Sequence, residues 1–145
     1  MIKDYSNDDF HNCCELFVQV FNAPPWNDNW TMEIACKYLC EITRHQRFIG
    51  YTLWESGVLI GVVFCRVETH FSVDIMFVEE LFVSVDCQRK GYGTVLMKEV
   101  EKYASENSVA RVTLLTSRGT PPFKFYEKIG YEHLDWLAFL QKSIL

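Results

Sequence analysis

Residues 48–85 hold three apolar, β-branched runs with very little between them: 48–54, 58–67 and 72–85. The break Glu55-Ser56-Gly57 has turn chemistry, so the first two runs predict a β-hairpin. The third run is long and is interrupted by Glu79 and Glu80. Neighbouring strands with short connections make a sheet, and its faces must be covered.

The cover is predicted on both sides in sequence. Residues 1–5 suit a short edge strand. Ser6 and Asp9 stand in capping-box register, and Phe10, Cys13, Cys14, Phe17, Val20 and Phe21 follow at helical spacing, so 7–21 reads as an amphipathic helix. Asn22-Ala23-Pro24-Pro25-Trp26-Asn27-Asp28-Asn29-Trp30 breaks it. Thr31 caps a second helix with Ile34, Tyr38, Leu39 and Ile42 on one face. Downstream, 92–106 reads as a helix with Leu96, Val100 and Tyr103 on one face, and 109–116 as a strand. A loop at 117–122 leads to a short helix at 123–129, stopped by Gly130. Residues 131–142 hold one or two closing strands. The order is β-α-α-β-β-β-α-β-α-β(-β). No linker or repeat divides it, so 1–145 is expected to be one α/β (α+β) domain with a mixed sheet of about six to seven strands and about four helices.

Composition narrows the partners. The chain is 49% hydrophobic and 15% aromatic, enough for a sizeable core. Its net charge of −5 argues against nucleic acid and anionic membranes and is compatible with a cationic substrate such as an amine. No apolar run has the length of a membrane span, and Met1-Ile2-Lys3-Asp4-Tyr5 does not resemble a signal peptide. The six cysteines form no C-x-x-C pair, so a reduced, cytoplasmic chain with free thiols is expected. Cys36 and Cys40 lie one helical turn apart but lack further His/Cys partners, and are read as core or boundary thiols. No metal is expected.

The strongest local feature is Gln88-Arg89-Lys90-Gly91-Tyr92-Gly93-Thr94, between a strand and a helix. Gly91 and Gly93 permit close backbone approach and unusual torsions. A helix start presents unpaired N–H groups and about half a positive charge, which suits a phosphate. Arg89 and Lys90 add full charges. Neither the Walker pattern nor the dinucleotide pattern fits, since no Lys-Ser or Lys-Thr follows and position 96 is Leu. Taken alone, the loop is equally a plain turn shaped by glycine.

Gln88-x-x-Gly91-x-Gly93 resembles the Arg/Gln-x-x-Gly-x-Gly/Ala signature of the GNAT acetyltransferase superfamily. Glu79-Glu80-Leu81-Phe82-Val83 resembles that family's preceding strand. Phe123-Lys124-Phe125-Tyr126-Glu127-Lys128-Ile129-Gly130-Tyr131 resembles its Phe/Leu-Tyr-Glu-Lys-x-Gly-Phe/Tyr element. The proline-containing approach to that element is similar to members that are like aminoglycoside 6'-N-acetyltransferases. Where many relatives carry Asn and Ala, this chain has Gly119 and Pro122.

The resemblance implies a GNAT fold whose splayed parallel strands hold acyl-CoA, with acetyl-CoA as co-substrate. It implies that N–H groups of 89–94 hold the CoA pyrophosphate, with Gln88, Arg89, Lys90, Gly91, Tyr92, Gly93 and Thr94 in the cofactor set. Leu81 and Val83 would pair with the pantetheine, an N–H near Phe82 or Val83 would polarise the thioester, and Phe123 and Tyr126 would line the cofactor. Tyr126 would protonate the departing thiolate. Glu79 is the favoured base and Glu80 the second candidate, or a binder of substrate charge; strand alternation puts them on opposite faces. The acceptor pocket would involve Phe21, Trp26, Asn27, Trp30 and Glu80. The implied activity is N-acetyl transfer to a primary amine of a small molecule, aminoglycoside-like or polyamine-like. A protein or peptide acceptor and a silent acyl-CoA-binding module are the alternatives. A homodimer is also admitted.

Overall fold

The computed structural model describes residues 1–145, which fall into two compact units, Met1–Leu114 and Leu115–Leu145. The first unit is a sheet with helices on both faces. Its strands are β1 (Ile2–Asp4), β2 (Phe48–Glu55), β3 (Val58–His70), β4 (Val73–Val83) and β5 (Val109–Thr113), side by side in that order. β1 to β4 are antiparallel neighbours, and β5 pairs parallel to β4. The expected hairpin closes at Glu55↔Val58, with Ser56 at φ 50° and Gly57 at φ 78°. Two positive-φ residues match the right-handed twist of the flanking strands.

Helix α1 (Phe10–Asn22) follows a single 3-10 turn at Asn7–Asp9, and α2 (Met32–Thr43) follows the proline-containing loop. The capping box forms: Ser6 Oγ accepts from the Asp8 amide at 3.2 Å, and Asp9 Oδ2 accepts from the Ser6 amide at 3.2 Å. Thr31 Oγ1 accepts from the Ile34 amide at 3.2 Å, as its place before α2 predicts. Cys13, Cys14, Leu16, Phe17 and Val20 of α1 and Ala35, Leu39 and Ile42 of α2 bury against Leu59, Val62, Phe64 and Phe82. Ile34 does not join them and is 53% exposed; Ala35 takes the inward position instead. The other face is covered by α3 (Tyr92–Glu106), which buries Leu96, Met97 and Val100. Leu96 approaches Gly61 so closely that an added Cβ would lie 3.0 Å from its Cδ1.

The second unit contains α4 (Pro121–Lys128) and no strand. The helix begins two residues earlier than its sequence pattern suggested. Pro121 and Pro122 occupy its first turn, where a missing N–H costs nothing. The closing strands expected at 131–142 are absent, so the sheet has five strands rather than six or seven. Apolar character alone does not make a strand; it needs a partner ladder. Trp136, Leu137, Phe139, Leu140 and Ile144 remain exposed. None of the six cysteines is in a disulfide, and no helix is long and apolar enough to cross a membrane.

Candidate functional site

The register of β3 against β4 slips once. Phe64 faces Glu80 and Cys65 faces Val78, so Glu79 is the extra residue of a bulge. A bulge cancels strict alternation where it sits. Glu79 bonds to Arg66, and Glu80 lies opposite Phe64, two residues along the same strand. Phe64 and Arg66 share a face, so both carboxylates turn toward the side covered by α1 and α2. This corrects the expectation that they occupy opposite faces.

Their partners differ. Arg66 ion-pairs with Glu79, reaches Glu68 at 3.6 Å, and lies 4.4 Å over the Phe77 ring. Glu80 has no cation. Its Oε1 accepts the hydroxyl of Tyr38 at 2.5 Å. Burial pushes the Glu80 carboxyl up to about 7; the Tyr38 bond opposes the rise and the Glu79 charge adds to it. The Tyr38 phenol is raised too, by burial first and then by Glu80. Neither Tyr38 nor Arg66 was marked by the sequence as functional. The available signal for Tyr38 was a phenol on an apolar helix face, since a buried tyrosine hydroxyl finds a partner.

Aromatic rings join Glu80 to the loop before α2. Tyr38 lies 5.4 Å from Trp30 and 5.7 Å from Phe17, Phe17 lies 5.5 Å from Phe82, and Phe21 lies 6.1 Å from Phe82 and 5.8 Å from Trp26. Asn22 clamps the loop by exchanging two hydrogen bonds with the Trp30 backbone, at 2.8 and 2.9 Å. Asp28 Oδ2 accepts from the Trp30 indole at 3.2 Å, and Asn27 Nδ2 donates to the Pro25 carbonyl at 3.4 Å. A shallow cleft of about 320 Å³ opens beside Asp28, Asn29, Trp30 and Ile34. Phe21, Trp26, Trp30 and Glu80 are thus brought together, while the Asn27 amide is engaged within its own loop.

The glycine-bearing loop starts where β4 ends. The parallel ladder stops at Phe77↔Thr113, while β4 continues to Val83. The Ser84 amide donates to the Ile60 carbonyl at 2.8 Å. Phe82 therefore points its backbone groups into the β3 ladder, and Leu81 and Val83 point theirs the other way. Of the two N–H groups considered for a thioester carbonyl, only that of Val83 avoids the ladder. Gln88 Nε2 donates to the Val83 carbonyl at 3.1 Å and anchors the loop to the strand. Gly91 is the residue before α3, at φ 85°, and nothing lies within 4 Å of a Cβ added there. Arg89 is also left-handed, at φ 63°, which its residue type does not announce. No acidic side chain enters the first turn of α3. The first-turn amides of Tyr92, Gly93 and Thr94 precede any intrahelical acceptor. Tyr92 donates to Glu55 Oε1 at 3.0 Å, tying this turn to the β2–β3 hairpin. Arg89 and Lys90 are exposed. The open backbone, the bare helix start and the exposed cations suit a pyrophosphate.

In the second unit, Tyr126 packs edge-on against Phe125 at 5.0 Å and Tyr131 at 5.7 Å. Phe123 packs edge-on against His133 at 5.7 Å, and Arg118 bonds His133 at 3.0 Å. Gly119 has φ 76°, a conformation an Asn tolerates less well and Gly adopts freely. No three His, Cys, Asp or Glu side chains converge as a metal site.

Residues 10–131 match the model of the acetyltransferase (GNAT) family. No curated protein matches in sequence. Among solved structures, an integron cassette protein from the mobile metagenome of V. cholerae superposes with a TM-score of 0.83 at 18% identity, over 99% of this chain and 91% of that one. AAC(6')-Iy, in complex with the bisubstrate analogue CoA-S-monomethyl-acetylneamine, gives 0.76 at 17% identity, over 99% and 98%. The aminoglycoside 6'-N-acetyltransferase AAC(6')-IG from Acinetobacter haemolyticus gives 0.77 at 15% identity, over 99% of each chain. At these identities the likeness is one of fold.

Proposed function

The chain belongs to the GNAT family of acetyltransferases, and we propose on that footing that it moves an acetyl group from acetyl-CoA to a primary amine of a small molecule. The observation that carries this reading is the ladder ending at Phe77↔Thr113, beside a β4 that runs on toward the bare start of α3. The amides of 89–94 hold the pyrophosphate, with Arg89 and Lys90 on the phosphates and Gln88 bracing the loop. Leu81 and Val83 pair with the pantetheine. The co-substrate supplies an activated acyl carbon, and the Val83 amide polarises its carbonyl. Residues 1–145 act as one domain in this reading. A small-molecule acceptor, aminoglycoside-like or polyamine-like, is supported by the aromatic loop and by the acceptors bound by structural neighbours.

Glu80 serves as the base. An alkylammonium has a pKa near 10.4, so giving its proton to an ordinary carboxylate costs roughly 8 kcal/mol. Giving it to a carboxyl near 7 costs roughly 5 kcal/mol. Glu79, first favoured from sequence, is already held by Arg66. Glu80 also faces the group that holds Phe21, Trp26 and Trp30, where the acceptor sits. Tyr126 protonates the departing thiolate, as the resemblance of its Tyr-Glu-Lys-x-Gly-Tyr setting implies. The reaction proceeds in a reduced, cytoplasmic setting and uses no metal. The exposed Trp136, Leu137, Phe139 and Leu140 support a homodimer.

The test is free-thiol release from acetyl-CoA across a panel of aminoglycosides, polyamines and amine-bearing peptides. Turnover with small amines is expected. Turnover with peptides alone moves the acceptor class, and no turnover despite CoA binding sinks the enzyme reading.

A further inference from the structure

Glu80 has one hydrogen-bonding side chain beside it, and that side chain comes from a helix rather than from the strand. We infer that Tyr38 is a positioning residue, whose phenol holds the Glu80 carboxylate ionised and aimed at the acceptor side; this rests on the reading of Glu80 as the proton acceptor. The O–H···O separation of 2.5 Å is that of a hydrogen bond to a charged acceptor. The ring is fixed by Trp30 on one side and Phe17 on another, so the hydroxyl is aimed by packing.

The charges around Glu80 show why the phenol matters. From α2 comes Tyr38; from β4 comes Glu79, whose charge Arg66 of β3 meets. From α1 come the rings of Phe17 and Phe21, which pack on Tyr38 and Phe82 and carry no charge. Burial and the Glu79 charge both favour the neutral acid, and only the Tyr38 bond favours the carboxylate. Without it, Glu80 holds its proton over a wider pH range and cannot take one from the amine. The Tyr38 proton itself does not move, because the phenol is raised above its ordinary range. One ammonium proton passes to Glu80, the nitrogen lone pair forms the C–N bond, the C–S pair leaves with sulfur, and the second proton shed by nitrogen is matched by the one the departing thiolate takes up.

Tyr38→Phe keeps the ring and removes the hydroxyl. The Glu80 carboxyl carbon, in protein made with isotope-labelled glutamate, is followed by NMR through a pH titration, with Glu80→Gln assigning the signal. This readout needs no turnover. Its midpoint in Tyr38→Phe is expected about one pH unit above wild type, the size of one hydrogen bond to a charged group. The acid limb of kcat should move up by the same amount, with KM for acetyl-CoA unchanged. Tyr38→Phe should add no further loss in a Glu80→Gln background. Should Tyr38→Phe fail to fold, a ring-fluorinated tyrosine at 38 strengthens the donor, and the midpoint should then fall. An unmoved Glu80 midpoint overturns the inference. A moved midpoint with an unmoved acid limb overturns the positioning role. A wild type silent toward every amine removes the transfer reading instead, and the NMR midpoint still decides whether Tyr38 holds Glu80.

Discussion

Replacing Glu80 with Gln is expected to stabilise the protein while slowing it, and the stabilisation should depend on pH. The folded carboxyl sits at about 7 against an ordinary value of 4.5. Below the lower value both folded and unfolded chains hold the proton, and the group costs nothing. Between the two, the unfolded chain ionises first, so unfolding releases a proton and stability falls as pH rises. Above about 7 the loss is complete. The gap corresponds to about 3 kcal/mol, a ceiling because solvent reaches part of the side chain. The substituted side chain does not titrate, and its amide oxygen still accepts from Tyr38. The stability of Glu80→Gln relative to wild type should therefore rise from near zero at pH 4.5 toward that ceiling at pH 8. At roughly 2–4 °C per kcal/mol for a chain this long, the Tm difference opens to about 6–12 °C. Thermal unfolding of both proteins across that pH range, followed by circular dichroism, measures it. Carboxylates distant from Glu80 meet the same surroundings in both proteins and cancel in the difference. A Tm difference that stays flat across this range refutes the assignment of a raised carboxyl to Glu80. Turnover should move the other way, falling about 100-fold to 10,000-fold, as for loss of a general base.

Gly91→Glu puts a negative charge at the start of α3 and an L-residue at φ 85°; CoA affinity by calorimetry should vanish, with about 1 kcal/mol lost in stability and the fold retained. Retained affinity would remove the pyrophosphate from this loop. Tyr126→Phe should lower kcat about tenfold with the Kd for CoA nearly unchanged, measured by stopped-flow and calorimetry; an unchanged kcat makes Tyr126 only a packing residue. Trp136→Lys together with Phe139→Lys should shift the protein from dimer to monomer in light scattering, and a wild type that is monomeric at all concentrations refutes the dimer.

The five strands of the first unit and the helix caps at Ser6 and Thr31 were legible because each rests on local chemistry. Ser56-Gly57 supplies two positive-φ positions, Ser6 and Asp9 supply a capping box, and Thr31 supplies a cap. The glycine turn into α3 was legible for the same reason. What was not legible depends on residues distant in the chain. The bulge at Glu79 is decided by how β4 meets Phe64 and Cys65, and no residue type at 79 announces it. The strand pattern at 131–142 showed apolar character but not whether an edge would pair with it. The run 109–116 looked like one strand, yet the ladder ends at Thr113, where the open edge of β4 begins. Local pattern says what a segment can do; pairing says which segment does it.

The bulge also explains why two adjacent carboxylates need two kinds of partner. In a regular strand Glu79 and Glu80 would diverge, and neither would feel the other strongly. Brought onto one face, they repel, and the Glu79 charge drives Glu80 toward the neutral acid. A cation beside both would hold both ionised and weaken both as bases. Arg66 compensates Glu79 and not Glu80, so the strand tolerates the Glu79 charge. Glu80 receives a phenol, which orients and favours the anion without cancelling its charge. The outcome is one carboxylate committed to structure and one still able to take a proton near neutral pH, from neighbours in sequence with identical side chains. The division of labour is carried by Arg66 and Tyr38 rather than by the glutamates themselves.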